Sequence, residues 1–497
     1  MERAAREGLV ARRTVLQVLG TMSALFGVSA VGGCSSTARP TEDQYTVQRW
    51  RAGRGEHYLI GHRGVADVVP EHSVESYEAA LGWGTKALEV SVVQTADGVL
   101  LCQHDLTFDR TTTLTGTVSK VPYTDVEGGR IDVPRLGPRW QGSGAPHIAR
   151  LQDVLAKVGS TAALCMEAKD DSAFPAMLQL VEKMGLKESV VLKLHDTSSR
   201  FGEAKEAGYP LFGYVGSFAE ATPNRITELG KKLDSHTDVL VIPANENSEW
   251  VADTVLEAAV ATGIPVWVFG VHRRSELAHH FERGAAGAVV SSVGYLSKSI
   301  APVTASAWDT GAISPGEMTR RPESNDYGLE WPEPGVVSLA VQDRQAFLTL
   351  GHLAPLRAAS GPYQVDMDVR VDVMPSGKQT NVTFAFAHAD DRYYEHRQGE
   401  LDGYHALLRM DGSLELWAHT KGAKDGQALD SAVPGPAPVV GAWIPLRLVV
   451  TPTSLTWSRL DTGATVTSAD TRFRGDYMHV GRSSPDGRVS LRRLRLT

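Results

Sequence analysis

The chain has 497 residues, 42% hydrophobic and 22% charged, a composition that predicts globular domains with sizeable cores. Because a single core rarely serves so long a chain, we expect two globular domains. The formal net charge is −8, and residues 1–33 carry four Arg against two Glu, so the remainder carries −8 − 2 = −10. This acidic balance excludes the basic field of a nucleic-acid-binding protein.

Residues 1–33 have the pattern of an export signal. Arg12 and Arg13 precede an apolar run of roughly 17 residues rich in Ala, Gly and Val. "RRTVLQ" resembles a twin-arginine export motif, and "VGGC" resembles the lipobox of bacterial lipoprotein precursors, with acylation at Cys34. The alternative is a disordered tail with a chance pair of arginines. We expect an exported protein, either secreted or held to the outside of the cell membrane by lipidated Cys34 and a tether over residues 34–56.

Short apolar runs alternate with helical patterns over residues 57–301. The runs are "HYLIGH", "ALEVSV", "VLLCQHD", "AALCMEAK", "VVLKLHD", "LFGYVG", "VLVIPAN", "VWVFGV" and "GAVVSS". This alternation indicates parallel strands with crossover helices, and over this length it favours a closed (β/α)8 TIM barrel over an open doubly wound sheet. The run beyond eight is explained by the Asp97-Gly98 turn, which predicts a β-hairpin before "VLLCQHD".

The pattern changes after residue 301. Residues 302–334 are rich in turn formers and predict a linker, and residues 335–497 hold alternating strands such as "YQVDMDVRVDV", which predict an antiparallel β-sandwich. "GYHALLRMDGSLELWAHT" resembles laminin-G-like or concanavalin-like jelly-roll modules. The aromatic residues Trp417, Trp443, Tyr393 and Tyr394 are candidates for sugar stacking, although core positions are favoured for the two tryptophans.

Two cysteines lie inside apolar runs of the predicted barrel. Cys102 is in "VLLCQHD" and Cys165 is in "AALCMEAK". Buried, inert thiols are favoured over a disulfide at these positions.

Charged and imidazole side chains gather where the predicted barrel strands end. Because the carboxyl ends of parallel strands meet at one mouth of a barrel, these side chains are expected to share a pocket. The candidates in chain order are His62, Arg63, Glu71, Glu89, His104, Glu167 and Lys169. His72, His195 and Asp196 are further candidates for the mouth, with simple exposure to solvent as the alternative.

This set of side chains suits cleavage of a phosphodiester. The three carboxylates Glu71, Glu89 and Glu167 offer hard oxygens, which suit Ca²⁺ or Mg²⁺ better than Zn²⁺. A divalent ion and the neighbouring cations would neutralise a phosphate, while two histidines act as base and acid. The alternatives are that the histidines cap strand ends and that Glu71 only favours the start of a helix.

The motifs "IGHRG", "PEHS", "LEVSVVQTADGVLLCQHDLTFDRTT", "IARLQDVL" and "CMEAK" resemble the glycerophosphodiester phosphodiesterases, in the exported bacterial type. The resemblance implies a catalytic pair at His62 and His104, phosphate binding by Arg63 and Lys169, and metal binding by Glu71, Glu89 and Glu167. The family's metal motif is Glu-x-Asp, and Ser91 stands where its Asp belongs. Ser91 is therefore a weak metal position at most, and Ca²⁺ is favoured over Mg²⁺ because it tolerates irregular oxygen shells.

The resemblance implies metal-dependent hydrolysis of glycerophosphodiesters to an alcohol and glycerol phosphate outside the cytoplasm. Whether water or a substrate hydroxyl attacks stays open. One alternative is a phospholipase D-like or teichoic-acid-degrading phosphodiesterase. Another is a non-catalytic lipoprotein whose sandwich binds a cell-wall glycan or teichoic acid.

Overall fold

The computed structural model describes residues 44–246, 249–320, 329–339, 345–353, 361–377, 380–392, 399–483 and 486–497. The predicted signal over residues 1–33, the acylated Cys34, and the contacts expected of Tyr393 and Tyr394 lie outside these ranges.

Eight parallel strands close into a barrel, as the alternation of apolar runs predicted. Each strand pairs with its neighbour in chain order, and the first strand pairs with both the eighth, Tyr58 opposite Gly287, and the second, Gly61 opposite Leu88. In chain order the barrel strands are Tyr58–Gly61, Ala87–Gln94, Ala163–Ala168, Val190–His195, Leu211–Tyr214, Val239–Pro243, Val266–Val271 and Gly287–Val290.

The additional strand, Leu100–Cys102, is antiparallel to the second barrel strand, with Val92 opposite Cys102. The turn between them is the predicted hairpin at Asp97-Gly98, where Thr95 donates to the Asp97 carboxylate at 2.7 Å and Gly98 has a φ of 89°. This return of the chain brings Gln103 beside Ser91, whose carbonyl accepts from the Gln103 amide at 3.0 Å. His104 therefore reaches the barrel mouth.

Helices cover the outside of the barrel because each has an apolar stripe. Helix Leu151–Val158, for example, buries four residues at helical spacing and leaves Lys157 exposed. The α-helices are Val47–Gly53, Val74–Gly82, Tyr123–Val126, Leu151–Val158, Ala173–Lys183, Phe201–Glu206, Pro223–Gly230, Asp253–Ala261, Arg274–Glu282 and Val293–Leu296. The 3₁₀-helices are Val118–Lys120, Pro134–Leu136, Pro138–Trp140, Gly142–Gly144, Lys187–Ser189 and Trp308–Thr310, and Asn245–Glu246 pairs with Glu249–Trp250 in a short hairpin.

The barrel interior is apolar at the N-terminal ends of the strands. Trp267 is fully buried there and meets Phe212 and Tyr58 edge to face. Trp50, from helix Val47–Gly53, packs against the same ring at 5.7 Å. This helix lies within the predicted tether over residues 34–56, so the part of that segment from residue 44 onwards departs from the prediction and belongs to the barrel.

The two cysteines predicted to be inert are both free and buried. Burial raises the pKa of each thiol well above its ordinary value, so neither forms a thiolate readily. The preference for buried thiols over a disulfide is confirmed for Cys102 and Cys165.

Two antiparallel sheets follow the barrel and confirm the predicted β-sandwich. One sheet has the order Glu317–Met318, Ala346–Leu350, Tyr477–Arg482, Asn381–His388, Gly403–Arg409, Leu414–His419, Gln427–Ala428. The other has the order Leu329–Glu333, Val336–Leu339, Arg488–Leu496, Tyr363–Val373, Trp443–Val450, Leu455–Arg459, Ala464–Ser468. Trp457 is fully buried in the core, with its ring 5.0 Å from that of Phe384.

Trp417 and Trp443 lie outside the sandwich core, so the favoured core position is wrong for both. Each is half-buried on a strand whose neighbouring positions are buried. Trp417 donates to the Glu415 carboxylate at 2.7 Å. The Trp443 ring lies under two guanidinium groups, those of Arg370 at 4.6 Å and Arg492 at 4.0 Å.

The predicted linker over residues 302–334 contains ordered, buried structure. Trp308 is fully buried, and strand Glu317–Met318 already belongs to the sandwich. The apolar contacts of the outer barrel and of the sandwich form one continuous cluster. The described part of residues 302–334 therefore joins the two domains through a packed interface rather than as a free spacer.

In the ranges given above, we find no helix with the length and apolar character needed to cross a membrane.

Candidate active site

His62 follows the first barrel strand directly. Its backbone amide still donates to Val290 of the eighth strand at 2.9 Å, so the residue is fixed by the sheet itself. The imidazole is buried, with Nδ1 2.8 Å from the Ser291 hydroxyl and Nε2 3.5 Å from Glu89 Oε2. His62 therefore has a hydroxyl on one side and a carboxylate on the other.

The charged turn after His62 is held tightly against the helix that follows it. Arg63 and His72 adopt positive φ angles of 52° and 58°, and Gly64 has a φ of 90°. A Cβ at Gly64 would lie 2.2 Å from the Ser76 hydroxyl, which accepts from the Val65 amide at 2.8 Å. The close packing of Gly64 against Ser76 fixes the turn with its side chains at the barrel mouth.

Glu71 is bound by two arginines. Arg63 Nη1 lies 3.1 Å from Glu71 Oε1, and Arg110 binds both carboxylate oxygens, at 2.7 and 3.0 Å. Burial by itself raises the pKa of Glu71, but the two guanidinium groups outweigh it and hold that pKa well below its ordinary value. Glu71 is thus an ionised carboxylate whose oxygens both accept from arginine.

His104 belongs to the same network. Its Nδ1 lies 2.7 Å from Asp105, which also accepts from Arg110, and its Nε2 lies 3.5 Å from Lys169 Nζ. Burial and the charge of Arg63 lower the pKa of His104 to about 4, although the bond to Asp105 opposes them. His104 is therefore neutral at pH 7, with Nδ1–H donated to Asp105 and the Nε2 lone pair on the side of Lys169.

A second network joins Glu89 and Glu167 through a lysine. Lys193 Nζ lies 2.5 Å from Glu89 Oε1 and 2.9 Å from Glu167 Oε2. Lys169 Nζ lies 3.3 Å from the same Glu167 oxygen, and the Tyr214 hydroxyl donates to Glu167 Oε1. Burial raises the pKa of each carboxyl, but Lys193 outweighs it, so the pKa of Glu89 is lowered and that of Glu167 is lowered to about 2.

The structure brings all the predicted site residues to one mouth but arranges the predicted metal ligands in two groups. Glu71 accepts from arginines, whereas Glu89 and Glu167 share Lys193. Across the described ranges, no three His, Cys, Asp or Glu side chains are placed to hold a metal ion. Ser91, the predicted weak metal position, has a fully buried hydroxyl with no hydrogen-bonding partner in the described part of the chain. These residues as arranged do not fit a divalent metal, and the ligand roles stay predictions.

Lys193 and Arg110 are site residues that the sequence patterns did not single out. Lys193 lies two residues after Val191 in a buried strand, and the period of two places both side chains inside the barrel, where a charge demands a partner. That signal was present in "VVLKLHD". Arg110, in "LTFDRTT", gives no comparable signal, because its role depends on how the loop after His104 folds back.

The other three candidates, His72, His195 and Asp196, lie at the edge of the barrel mouth. His72 is buried, not solvated, and its Nδ1 lies 2.7 Å from the Tyr77 hydroxyl. His195 Nδ1 contacts Thr197 at 2.8 Å, and Asp196 accepts from Arg225. The His195 ring meets Tyr214 edge to face at 5.1 Å, which connects this outer group to Glu167.

Comparison with known proteins matches residues 62–293 to the family described as "Glycerophosphoryl diester phosphodiesterase family". A glycerophosphodiester phosphodiesterase of Bacillus subtilis is 30% identical over 127 residues, 24% of this chain and 42% of the relative. One from Caldanaerobacter subterraneus is 29% identical over 98 residues, 20% of this chain and 40% of the relative. The chain thus matches less than half the length of these two relatives.

Two solved structures are similar to about half of this chain. A glycerophosphodiester phosphodiesterase of Agrobacterium tumefaciens is 20% identical, with a TM-score of 0.39, over 49% of this chain and 99% of the other. A phosphodiesterase of Oleispira antarctica, solved with the product sn-glycerol-3-phosphate, is 19% identical, with a TM-score of 0.40, over 49% and 96%. Residues 62–293, which form the barrel of this protein, are thus similar to the glycerophosphoryl diester phosphodiesterase family.

Proposed function

We propose that this protein hydrolyses glycerophosphodiesters to an alcohol and glycerol phosphate, with His62 and His104 as the acid and base. The observation that carries the proposal is the pair of imidazoles at one barrel mouth in opposite surroundings. His104 faces the cations Arg63 and Lys169, and His62 faces the carboxylate of Glu89. Arg63 and Lys169 supply the positive charge that a phosphodiester needs.

We infer the two proton transfers from the neighbours of each histidine. The attacking oxygen forms a bond to phosphorus and gives its proton to the neutral His104, whose Asp105 partner holds the ring in place. The bond from phosphorus to the alcohol oxygen breaks, and His62, beside the Glu89 carboxylate, acts as the acid and gives that oxygen a proton. If water attacks, one step completes hydrolysis. If a substrate hydroxyl attacks, water opens the cyclic phosphate in a second step.

Glycerophosphocholine, glycerophosphoethanolamine and a glycerophosphate polymer are suitable substrates for the first test, with release of alcohol and glycerol phosphate as the measurement. We expect His62→Ala and His104→Ala each to lower turnover by roughly 10²- to 10⁴-fold, the usual contribution of a general acid or base. His147→Ala, at an exposed histidine, is the matched control. Near-full turnover in either site variant would contradict the assignment. Parallel assays with Ca²⁺, Mg²⁺ and EDTA test the predicted preference for Ca²⁺.

We propose further that the protein acts outside the cytoplasm as a lipoprotein. The support is the sequence of residues 1–33, with Arg12-Arg13, the apolar run and "VGGC" before Cys34. Cys34→Ala should release the protein from membranes or leave an uncleaved precursor, as seen by fractionation and mass. Unchanged membrane association in that variant would rule out the lipid anchor.

The sandwich is proposed to be an accessory module that binds a cell-wall glycan or teichoic acid. The half-buried Trp443 beside Arg370 and Arg492 supports a ligand that combines a ring face with negative charge. Binding of purified teichoic acid to the full chain, with and without Trp443→Ala, is the test. Equal binding by both proteins would exclude this face.

A further inference from the structure

Lys193 occupies the space between the two carboxylates at the base of the pocket. Its side chain is 9% exposed, and its ammonium contacts Glu89 and Glu167 at 2.5 and 2.9 Å. The Tyr214 ring lies 4.5 Å from Nζ, so an aromatic face covers one side of the charge. We refer to Glu89, Lys193 and Glu167 as the lysine bridge.

The ammonium of the bridge stays charged despite its burial. Its two closest partners are carboxylate oxygens, Glu89 Oε1 at 2.5 Å and Glu167 Oε2 at 2.9 Å. A buried charge persists when opposite charges surround it closely, as the two carboxylates do here. Lys193 therefore fills the space between the two carboxylates with a positive charge.

Ser91 lies beside the lysine bridge, on the same strand as Glu89 and next to the strand of Glu167. Its Cα is the register partner of Glu167, and it lies two residues after Glu89, so the three side chains face the same interior. An Asp at this position, as in the Glu-x-Asp motif, would add a third carboxylate beside Lys193. The serine contributes no charge, and its buried hydroxyl has no partner within the described ranges.

The charges of the mouth balance without a metal ion. The side chains that meet there are the cations Arg63, Arg110, Lys169 and Lys193 and the carboxylates Glu71, Glu89, Asp105 and Glu167. A divalent ion placed between Glu89 and Glu167 would have to displace the ammonium that already contacts both. Repulsion between two buried cations opposes their joint occupancy.

The resemblance to this family implies a divalent metal at Glu71, Glu89 and Glu167. We propose that in this protein Lys193 takes the place of that metal, so that phosphodiester hydrolysis proceeds without one. This inference rests on the proposed phosphodiesterase function. Lys193 is a positioning residue: it holds Glu89 3.5 Å from His62, and Glu167 beside Lys169, while the phosphate meets Arg63 and Lys169.

The wild-type protein provides the first test. Hydrolysis of glycerophosphocholine should be unchanged by EDTA and by added Ca²⁺ or Mg²⁺, and calorimetry should detect no Ca²⁺ binding. Loss of turnover in EDTA with recovery in Ca²⁺ would overturn the inference while leaving the phosphodiesterase function intact. Absence of hydrolysis with all substrates would instead reject the proposed function.

A double substitution at Ser91 and Lys193 provides the second test. The double variant Ser91→Asp with Lys193→Ala restores a carboxylate and removes the ammonium, so it should bind Ca²⁺ in calorimetry and need Ca²⁺ for activity. Lys193→Ala alone should lose turnover, with Lys183→Ala, at an exposed helix position, as the matched control. No Ca²⁺ binding by a folded double variant would contradict the exchange.

Lys193→Arg provides a third test that does not depend on the folding of the alanine variant, because it keeps a cation between the carboxylates. We expect it to fold, to retain part of the wild-type turnover and to remain insensitive to EDTA. Dependence of Lys193→Arg on added Ca²⁺ would overturn the inference, since the arginine preserves the charge said to replace the metal.

Discussion

At the scale of single residues, the two histidines proposed as acid and base have neighbours of different charge. Burial and the charges of Arg63, Lys169 and Lys193 disfavour the protonated form of His104, while His62 lies against Glu89. One fold therefore presents a neutral imidazole among cations and a second imidazole against a carboxylate within one mouth. The same principle applies to Lys193: the carboxylates of Glu167 and Glu89 favour the charged form of this buried ammonium.

The pH dependence of kcat/KM follows from His104. A general base is active when unprotonated, and the pKa of His104 is lowered to about 4. Activity should therefore persist as the pH falls from 7 and decline only near pH 4, not near the ordinary histidine value of about 6.5. Asp105→Asn replaces the charged acceptor by a neutral amide oxygen and weakens the bond that raises this pKa, so the acid limb should move lower as turnover falls. An acid limb near 6.5 in the wild type would contradict this role of His104.

At the scale of elements, a residue of the sandwich caps a helix of the barrel. Asp391, fully buried, accepts from the backbone amides of Arg274 at 2.7 Å and Ser275 at 2.9 Å, the first two of helix Arg274–Glu282. The Tyr295 hydroxyl donates to the same carboxylate at 2.6 Å. The helix start is therefore stabilised by a distant part of the chain, since these amides have no partner within the helix.

Removal of this cap should lower stability. Asp391→Ala leaves two amides and one hydroxyl without their acceptor, so we expect the free energy of unfolding to fall by about 2 kcal/mol or more. Denaturant unfolding measures the change, and Asp425→Ala, at an exposed sandwich position, is the control. Equal midpoints for Asp391→Ala and the control would show that the cap contributes nothing.

At the scale of the whole molecule, the barrel and sandwich share their packing. The buried Arg273 side chain, at the end of the barrel, donates to the Thr319 carbonyl at 2.7 Å. The Arg139 backbone amide donates to the Gly311 carbonyl at 3.0 Å. The apolar cluster is continuous across this region. Both histidines proposed to be catalytic belong to the barrel, yet the barrel depends on the sandwich for burial of part of its surface.

Separation of the domains should therefore reduce stability before it affects chemistry. Residues 45–302 alone expose Tyr295 and lose the Asp391 cap, so we expect a lower thermal midpoint than that of the full chain, or aggregation. Thermal unfolding of both proteins, with hydrolysis of a small diester measured on the folded fraction, provides the comparison. An equally stable barrel would show that the interface contributes little.

Local patterns in the sequence determined the barrel, its hairpin and most of its mouth. Period-two apolar runs and helical stripes depend on neighbours a few residues apart, and Asp97-Gly98 favours its turn by backbone preference alone. His62 and His104 were predictable because strand ends in a parallel barrel converge on one face. These features need no knowledge of distant contacts.

Tertiary structure alone decided which partner each charge takes. Lys193 reaches Glu89 across 104 residues of chain, Asp391 reaches Arg274 across 117, and both contacts exist only when the barrel is closed and the sandwich docked. The outward position of Trp443 likewise depends on which side of its strand faces the second sheet. The interaction energy of two charges depends on their distance in space and not on their separation along the chain. A sequence therefore shows that a buried charge needs a partner but not which residue supplies it.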